Sequence, residues 1–261
     1  MSPPLLAVEN LSKSYGGVHA VREASFSLER GELLALIGPN GAGKSTCFNM
    51  LNGQTRPDSG SVRIAGRETA GLAPRDIWRL GVGRTFQITA TFASMTVREN
   101  VQVALLSHAG RGLRLLGFAG AAQREEADAL LGLVGMAEAA ERPCGELAYG
   151  DLKRLELATA LANAPSLLLM DEPTAGMAPA ERIQLMHLTA SIASERGIGV
   201  LFTEHDMDVV FEHADRVMVM DRGRLIATGS PAEVRRDPKV RATYLGEGLV
   251  YGAQHREGAP S

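Results

Sequence analysis

The residues Gly38-Pro39-Asn40-Gly41-Ala42-Gly43-Lys44-Ser45-Thr46 have the types and spacing to hold a chain of phosphates. They match the phosphate-loop pattern G-x-x-x-x-G-K-[ST]. Glycines let backbone N–H groups turn inward around phosphate oxygens, and a helix N-terminus adds unsatisfied donors and partial positive charge. Lys44 is placed to reach the β- and γ-phosphates, and the Ser45 hydroxyl to bind Mg²⁺. A chance match somewhere in a chain of this length has odds on the order of one per cent. The apolar run Leu33 to Ile37 before the loop and the helical stretch Lys44 to Leu51 after it lower those odds further.

A second group lies far downstream. Ser166-Leu167-Leu168-Leu169-Met170-Asp171-Glu172 is an apolar strand ending in two carboxylates. The first suits Mg²⁺, and the second can orient and deprotonate an attacking water. Neighbouring residues on an extended chain point opposite ways, which separates the two roles. Alone the pattern is weak, because many strands end in an acid at a solvated edge. Together with the phosphate loop it points to nucleoside-triphosphate hydrolysis with Mg²⁺.

These groups must be positioned by an α/β frame. Phe26 and Leu28 alternate with Ser25, Ser27 and Glu29, as in a half-buried strand, whereas Leu33 to Ile37 reads as a strand covered on both faces. Thr96-Val97-Arg98-Glu99 has capping-box spacing and predicts a helix start. From there to about residue 164 the pattern is mostly helical, broken by glycines at 110, 112, 117 and 120, and reads as a helical subdomain inserted in the α/β core. Strands over 166–170, 199–203 and 216–221 then alternate with helices near 180–194 and 206–213. Ser230-Pro231-Ala232-Glu233 and Asp237-Pro238 predict two late helix starts. The expected division is 1–89 and 165–229 for the nucleotide-binding core, 90–164 for the helical insert, 230–250 for a helical extension, and 251–261 for a frayed tail.

At this point the chain resembles the ATP-binding subunits of ABC transporters over nearly its whole length. Further motifs in that family's order carry the resemblance. Tyr15 stands where the family stacks an aromatic on adenine. Gln87, in Arg84-Thr85-Phe86-Gln87, matches the glutamine that contacts Mg²⁺ or water and links core to helical subdomain. Leu147-Ala148-Tyr149-Gly150-Asp151 occupies the signature position, usually Leu-Ser-Gly-Gly-Gln, and Ala175-Gly176-Met177-Ala178-Pro179 the D-loop. His205, in Thr203-Glu204-His205-Asp206, matches the switch histidine. A lone Gln, Tyr or His is usually surface or structural. The weight lies in their order and spacing. Ala148 lacks the hydroxyl of the usual serine, so Gly150 and the following helix amides carry that position.

The resemblance implies a P-loop NTPase core with an N-terminal antiparallel β region and the helical insert. It also implies ATP and Mg²⁺ held by residues 38–46, Ser45, Gln87 and Asp171, with Glu172 and His205 acting on water and γ-phosphate. A second ATP-binding subunit, the same chain or a paralogue, would supply Ala148, Tyr149 and Gly150 in trans. Leu-Ala-Tyr-Gly followed by Arg154-Leu155-Glu156-Leu157-Ala158, with Glu204-His205-Asp206-Met207-Asp208 and Tyr244-Leu245-Gly246-Glu247, looks like the subgroup serving branched-chain amino-acid importers. Partners would then be integral membrane permease subunits and, indirectly, an extracellular solute-binding protein, at the cytoplasmic face of the inner membrane. Relatives serving urea, amides or lipopolysaccharide export remain the alternative solutes, and a non-transport ABC ATPase the alternative class.

Composition bounds the rest. The 261 residues are 45% hydrophobic and 22% charged, as in a globular domain. The net charge of −3 provides no basic field for a nucleic acid. No apolar run approaches the roughly 20 residues of a membrane span, and no signal peptide is seen at the N-terminus. Cys47 and Cys144 make no disulfide framework and read as reduced thiols.

Overall fold

The computed structural model describes residues 3–85, 91–108 and 121–245. The chain opens with β1 (Leu6–Tyr15) and β2 (Val18–Leu28), joined by Gly16 and Gly17, both at positive φ. Then come β3 (Leu33–Ile37), α1 (Lys44–Leu51), β4 (Ser59–Ile64), β5 (Arg67–Glu68), α2 (Pro74–Arg79) and β6 (Val82–Thr85). A helical stretch follows, with α3 (Val97–His108), α4 (Ala121–Leu133) and α5 (Tyr149–Leu161). The alternation resumes through β7 (Leu167–Asp171), α6 (Pro179–Arg196), β8 (Gly199–Thr203), α7 (Met207–His213), β9 (Arg216–Asp221) and β10 (Arg224–Gly229). Helices α8 (Pro231–Arg236) and α9 (Pro238–Val240) end in a π turn over Arg241–Leu245.

Two sheets form. An antiparallel sheet has the order β2-β1-β4-β5, and a six-stranded sheet the order β10-β9-β3-β8-β7-β6, parallel from β6 to β9 with β10 antiparallel at its edge. The period of two in strand side chains divides the parallel strands between two cores. Leu33, Ala35 and Ile37 of β3 join Leu168, Met170, Val200, Phe202, Val217 and Val219 against α3 to α7. Leu34 and Leu36 join Leu167, Leu169, Leu201, Met218 and Met220 on the other side, where Phe48, Met50 and Leu51 of α1 meet Leu6, Val8 and Leu11 of β1. Helix α1 is thus clamped between the sheets, and each fully buried side chain such as Phe48 contributes about 1.5–3 kcal/mol.

The expected strands at 199–203 and 216–221 and helix at 44–51 have those bounds, while the strand expected at 166–170 runs one residue later. The segment 25–29 is the end of the longer β2. All three cap devices form. Thr96 N–H donates to Glu99 Oε2 at 2.8 Å, Ser230 Oγ accepts from Glu233 N–H at 3.4 Å, and Asp237 Oδ1 accepts from Lys239 N–H at 2.7 Å. The glycines at 110, 112, 117 and 120, the end of the expected extension from 246 and the whole expected tail 251–261 lie outside the described residues. Among the described residues, no helix is long and apolar enough to cross a membrane.

Strand order positions the site. β8 lies between β3 and β7, and its last residue, Thr203, pairs with Leu36 on one side and Asp171 on the other. The segments leaving the carboxyl ends of β3, β7 and β8 therefore emerge side by side, the usual ligand edge of such a sheet.

Candidate functional site

The phosphate loop is built from behind. A Cβ on Gly38 would stand 2.1 Å from the Met220 carbonyl oxygen of β9, and one on Gly43 2.2 Å from the Ala20 carbonyl oxygen of β2. Both glycines have positive φ, +152° and +111°. Glycine is thus demanded here by backbone packed against the loop as well as by the loop's own curvature. The β9–β10 turn completes the support: Gly223 N–H donates to Ala42 O at 2.8 Å, and Arg22 N–H donates to Gly223 O at 2.8 Å.

Gly43 is the N-cap of α1 and has no side chain to occupy the first-turn amides, which leaves them for an anion. Lys44 is buried, and its Nζ donates to Gly38 O at 2.6 Å and Pro39 O at 3.1 Å. Burial pushes its pKa down, opposed by the negative charges of Glu172 and Asp171.

Asp171 closes β7, but Glu172 does not continue the strand. Its φ is +50°, so a left-handed turn, rather than strand alternation, separates the two carboxylates. This corrects the extended-chain expectation. The turn is held by Thr203, whose hydroxyl donates to Asp171 Oδ1 at 2.8 Å and accepts from Glu172 N–H at 3.0 Å. Arg84 Nη2 stands 3.9 Å from Asp171 Oδ2.

Glu172 Oε1 meets His205 Nε2 at 2.8 Å. His205 is held by its neighbours. The buried Glu204 accepts from Thr174 N–H at 2.8 Å and Thr174 Oγ1 at 2.6 Å, while Asp206 caps α7 and pairs with Arg182 at 2.7 Å.

Residues 40–46, Glu172 and His205 line one cleft of about 420 Å³. Val18, His19, Ala20, Arg22 and Arg222 also line it and were not anticipated. The first four follow Tyr15 across the hairpin, so their sequence signal was proximity to that aromatic. Tyr15 is half exposed, pairs with Val18 in the hairpin, and has Lys13 Nζ 5.5 Å from its ring centre, but does not itself line the cleft. Asp171 does not line the cleft and acts on Lys44 through its charge. Gln87 lies outside the described residues.

Ala148, Tyr149 and Gly150 do not line this cleft. Ala148 is the N-cap of α5 with no capping side chain, Tyr149 is exposed, and Gly150 is buried where a Cβ would meet Glu181 Oε1 at 3.0 Å. A Cβ on Gly176 would sit 3.3 Å from the Tyr149 ring, so the signature and D-loop segments touch. The arrangement can bind polyphosphate, hold a hard cation through Ser45 and Asp171 oxygens, and present a carboxylate and an imidazole to a water beside it.

A family profile described as "ABC transporter" matches residues 21–175, and one described as "Branched-chain amino acid ATP-binding cassette transporter" matches residues 224–250. The chain is 41% identical over 258 residues to the high-affinity branched-chain amino acid transport ATP-binding protein LivG of Salmonella typhimurium, covering 95% of this chain and all of that one. The ADP conformation of MJ1267, an ATP-binding cassette of an ABC transporter, superposes with a TM-score of 0.84 at 30% identity, over 94% of this chain and 100% of that chain. The ATP-binding cassette MJ0796, a dimer in a post-hydrolysis state with ADP and Pi, superposes with a TM-score of 0.74 at 25% identity, over 87% and 98% of the two chains.

Proposed function

We propose that this chain, which belongs to the ABC transporter family, hydrolyses ATP to power uptake of branched-chain or related amino acids through a separate permease. The observation that carries the reading is the convergence of Lys44, Glu172 and His205 on the cleft formed by residues 40–46. The solute assignment rests on likeness to LivG and on the C-terminal match at 224–250.

The amides of residues 40–46 and the Lys44 ammonium bind the β- and γ-phosphates. Tyr15 stacks on adenine from the hairpin. Ser45, Asp171 and Gln87 would hold Mg²⁺. The Ser45 and Asp171 oxygens suit that hard cation, and the Thr203 hydroxyl fixes how Asp171 points. When bound, Mg²⁺ neutralises charge that develops on the phosphates. Glu172 orients the water and accepts its proton, while His205 holds Glu172 in place and donates toward the γ-phosphate.

Ala148, Tyr149 and Gly150 do not line the chain's own cleft and serve the cleft of a second ATP-binding subunit, the same chain or a paralogue. Two nucleotides are then buried between two head-to-tail cassettes. Contacts to the γ-phosphate from both sides favour the closed pair, and their loss on hydrolysis reopens it. The chain works at the cytoplasmic face of the inner membrane, docked on permease subunits that receive solute from an extracellular binding protein. It has no role with nucleic acid.

The test is uptake. Proteoliposomes containing the co-expressed permease, this chain and any paralogous cassette, with the solute-binding protein outside, should accumulate labelled leucine only with internal MgATP. ATP hydrolysis without leucine uptake, but with uptake of urea or an amide, would reassign the solute. No Mg²⁺-dependent hydrolysis by the assembled complex would end the motor reading.

A further inference from the structure

We propose that His187, Glu212 and His213 form a site for zinc that ties α6 to α7, apart from the nucleotide cleft. His187 projects from α6, and Glu212 and His213 end α7. One ligand atom from each of the three lies within 4.8 Å of the others.

The pair His187 Nε2–Glu212 Oε1 stands at 3.6 Å, too long for a hydrogen bond. With metal–ligand bonds of about 2.0–2.2 Å, the edge of a tetrahedron is roughly 3.3–3.6 Å, so this separation suits two ligands of one ion. The two imidazoles lie edge to face, centroids 4.5 Å apart at 85°. His213 is only 9% exposed, and its Nε2 is buried without a hydrogen-bond partner.

A solvated ion pair between His187 and Glu212 accounts for two of these residues and leaves the buried nitrogen of the third unexplained. A shared metal accounts for all three.

Two imidazoles and a carboxylate, with a water in the fourth position, are a zinc donor set. Magnesium prefers oxygen alone. The site is therefore chemically distinct from the Ser45 and Asp171 pair. Its α6 begins just after the Ala175–Ala178 segment and its α7 just after His205, so the bound ion ties together two helices that start next to those segments.

The experiment uses the full chain without a histidine tag, stripped by chelator, dialysed and titrated with ZnCl2 in a calorimeter without nucleotide. One ion per chain should bind, and the melting temperature should rise with zinc. His187→Ala removes a side chain that is 63% exposed, so the fold should survive. That variant and Glu212→Gln should each weaken zinc binding at least tenfold and abolish the thermal shift, with basal ATP hydrolysis unchanged. The absence of zinc binding by the wild-type chain overturns the proposal. So does binding that persists in His187→Ala but disappears in His205→Ala, which would place the ion on the Glu172–His205 pair.

Discussion

His205 Nε2 lies 2.8 Å from Glu172 Oε1, across the gap between the ends of β7 and β8. The imidazole thereby restrains a carboxylate that a left-handed turn has already swung out of its strand. Glu172→Gln keeps the shape of this contact but cannot accept a proton. It should still bind ATP and lose about 10²–10⁴-fold in hydrolysis. Light scattering in MgATP should find a long-lived dimer, and a variant that stays monomeric would count against the two-cassette sandwich.

Lys44→Ala removes the one side-chain ammonium in the loop, whose present partners are the Gly38 and Pro39 carbonyls. Hydrogen bonds to a charged group contribute about 1.5–3 kcal/mol, which is on the order of tenfold or more in affinity. Titration with a fluorescent ATP analogue should register that loss. Unchanged affinity would mean the cradle is misassigned.

Thr203→Val keeps the volume and deletes the hydroxyl that serves both acids. Asp171 Oδ1 loses its donor, while the Glu172 N–H keeps the Thr203 carbonyl at 3.2 Å; the loss should cost about 1–3 kcal/mol, at about 2–4 °C of melting temperature per kcal/mol in a chain of this size. Hydrolysis should fall more than nucleotide binding does. Equal losses in both would argue that Thr203 only stabilises the strand.

Burial pushes the Cys47 thiol up to about 12. The unfolded chain releases this proton near the ordinary value of 9.0, while the native chain keeps it. The native state then binds more protons than the unfolded state only between these two values. This contribution to stability is intact below pH 9 and is lost as pH rises toward 12. Denaturant melts at pH 8 and 10.5 should differ in that direction, and Cys47→Ala should shrink the difference. At pH 8 the native thiol should resist maleimide until the protein unfolds.

Much of this frame is legible in the sequence. β3, β8 and β9 are short apolar runs bounded by turn residues or acids, and α1 follows a loop whose pattern is itself a marker. β1, β4, β5, β6 and β10 are not legible there. β1 pairs with β2 through several register shifts, which break the alternation that betrays a strand. β6 contains Gly83, placed where a Cβ would meet Ala160 O at 2.6 Å, so close packing against α5 overrides its poor strand propensity. In the site, Lys44, Glu172 and His205 could be named from pattern. Thr203 could not, because a threonine ending an apolar strand looks like ordinary β composition. Arg222 was hidden because only the β9–β10 turn brings it to the loop.

That turn has a consequence for how the protein is made. Gly223 holds Ala42 through one hydrogen bond and Arg22 through another, so the anion cradle is laced together from three stretches distant in the chain. A nascent polypeptide that has emerged only as far as residue 215 has the phosphate-loop motif but not its backing. Such a fragment should bind ATP no better than the Lys44→Ala protein. Nucleotide can therefore stabilise the finished fold but cannot chaperone its first half.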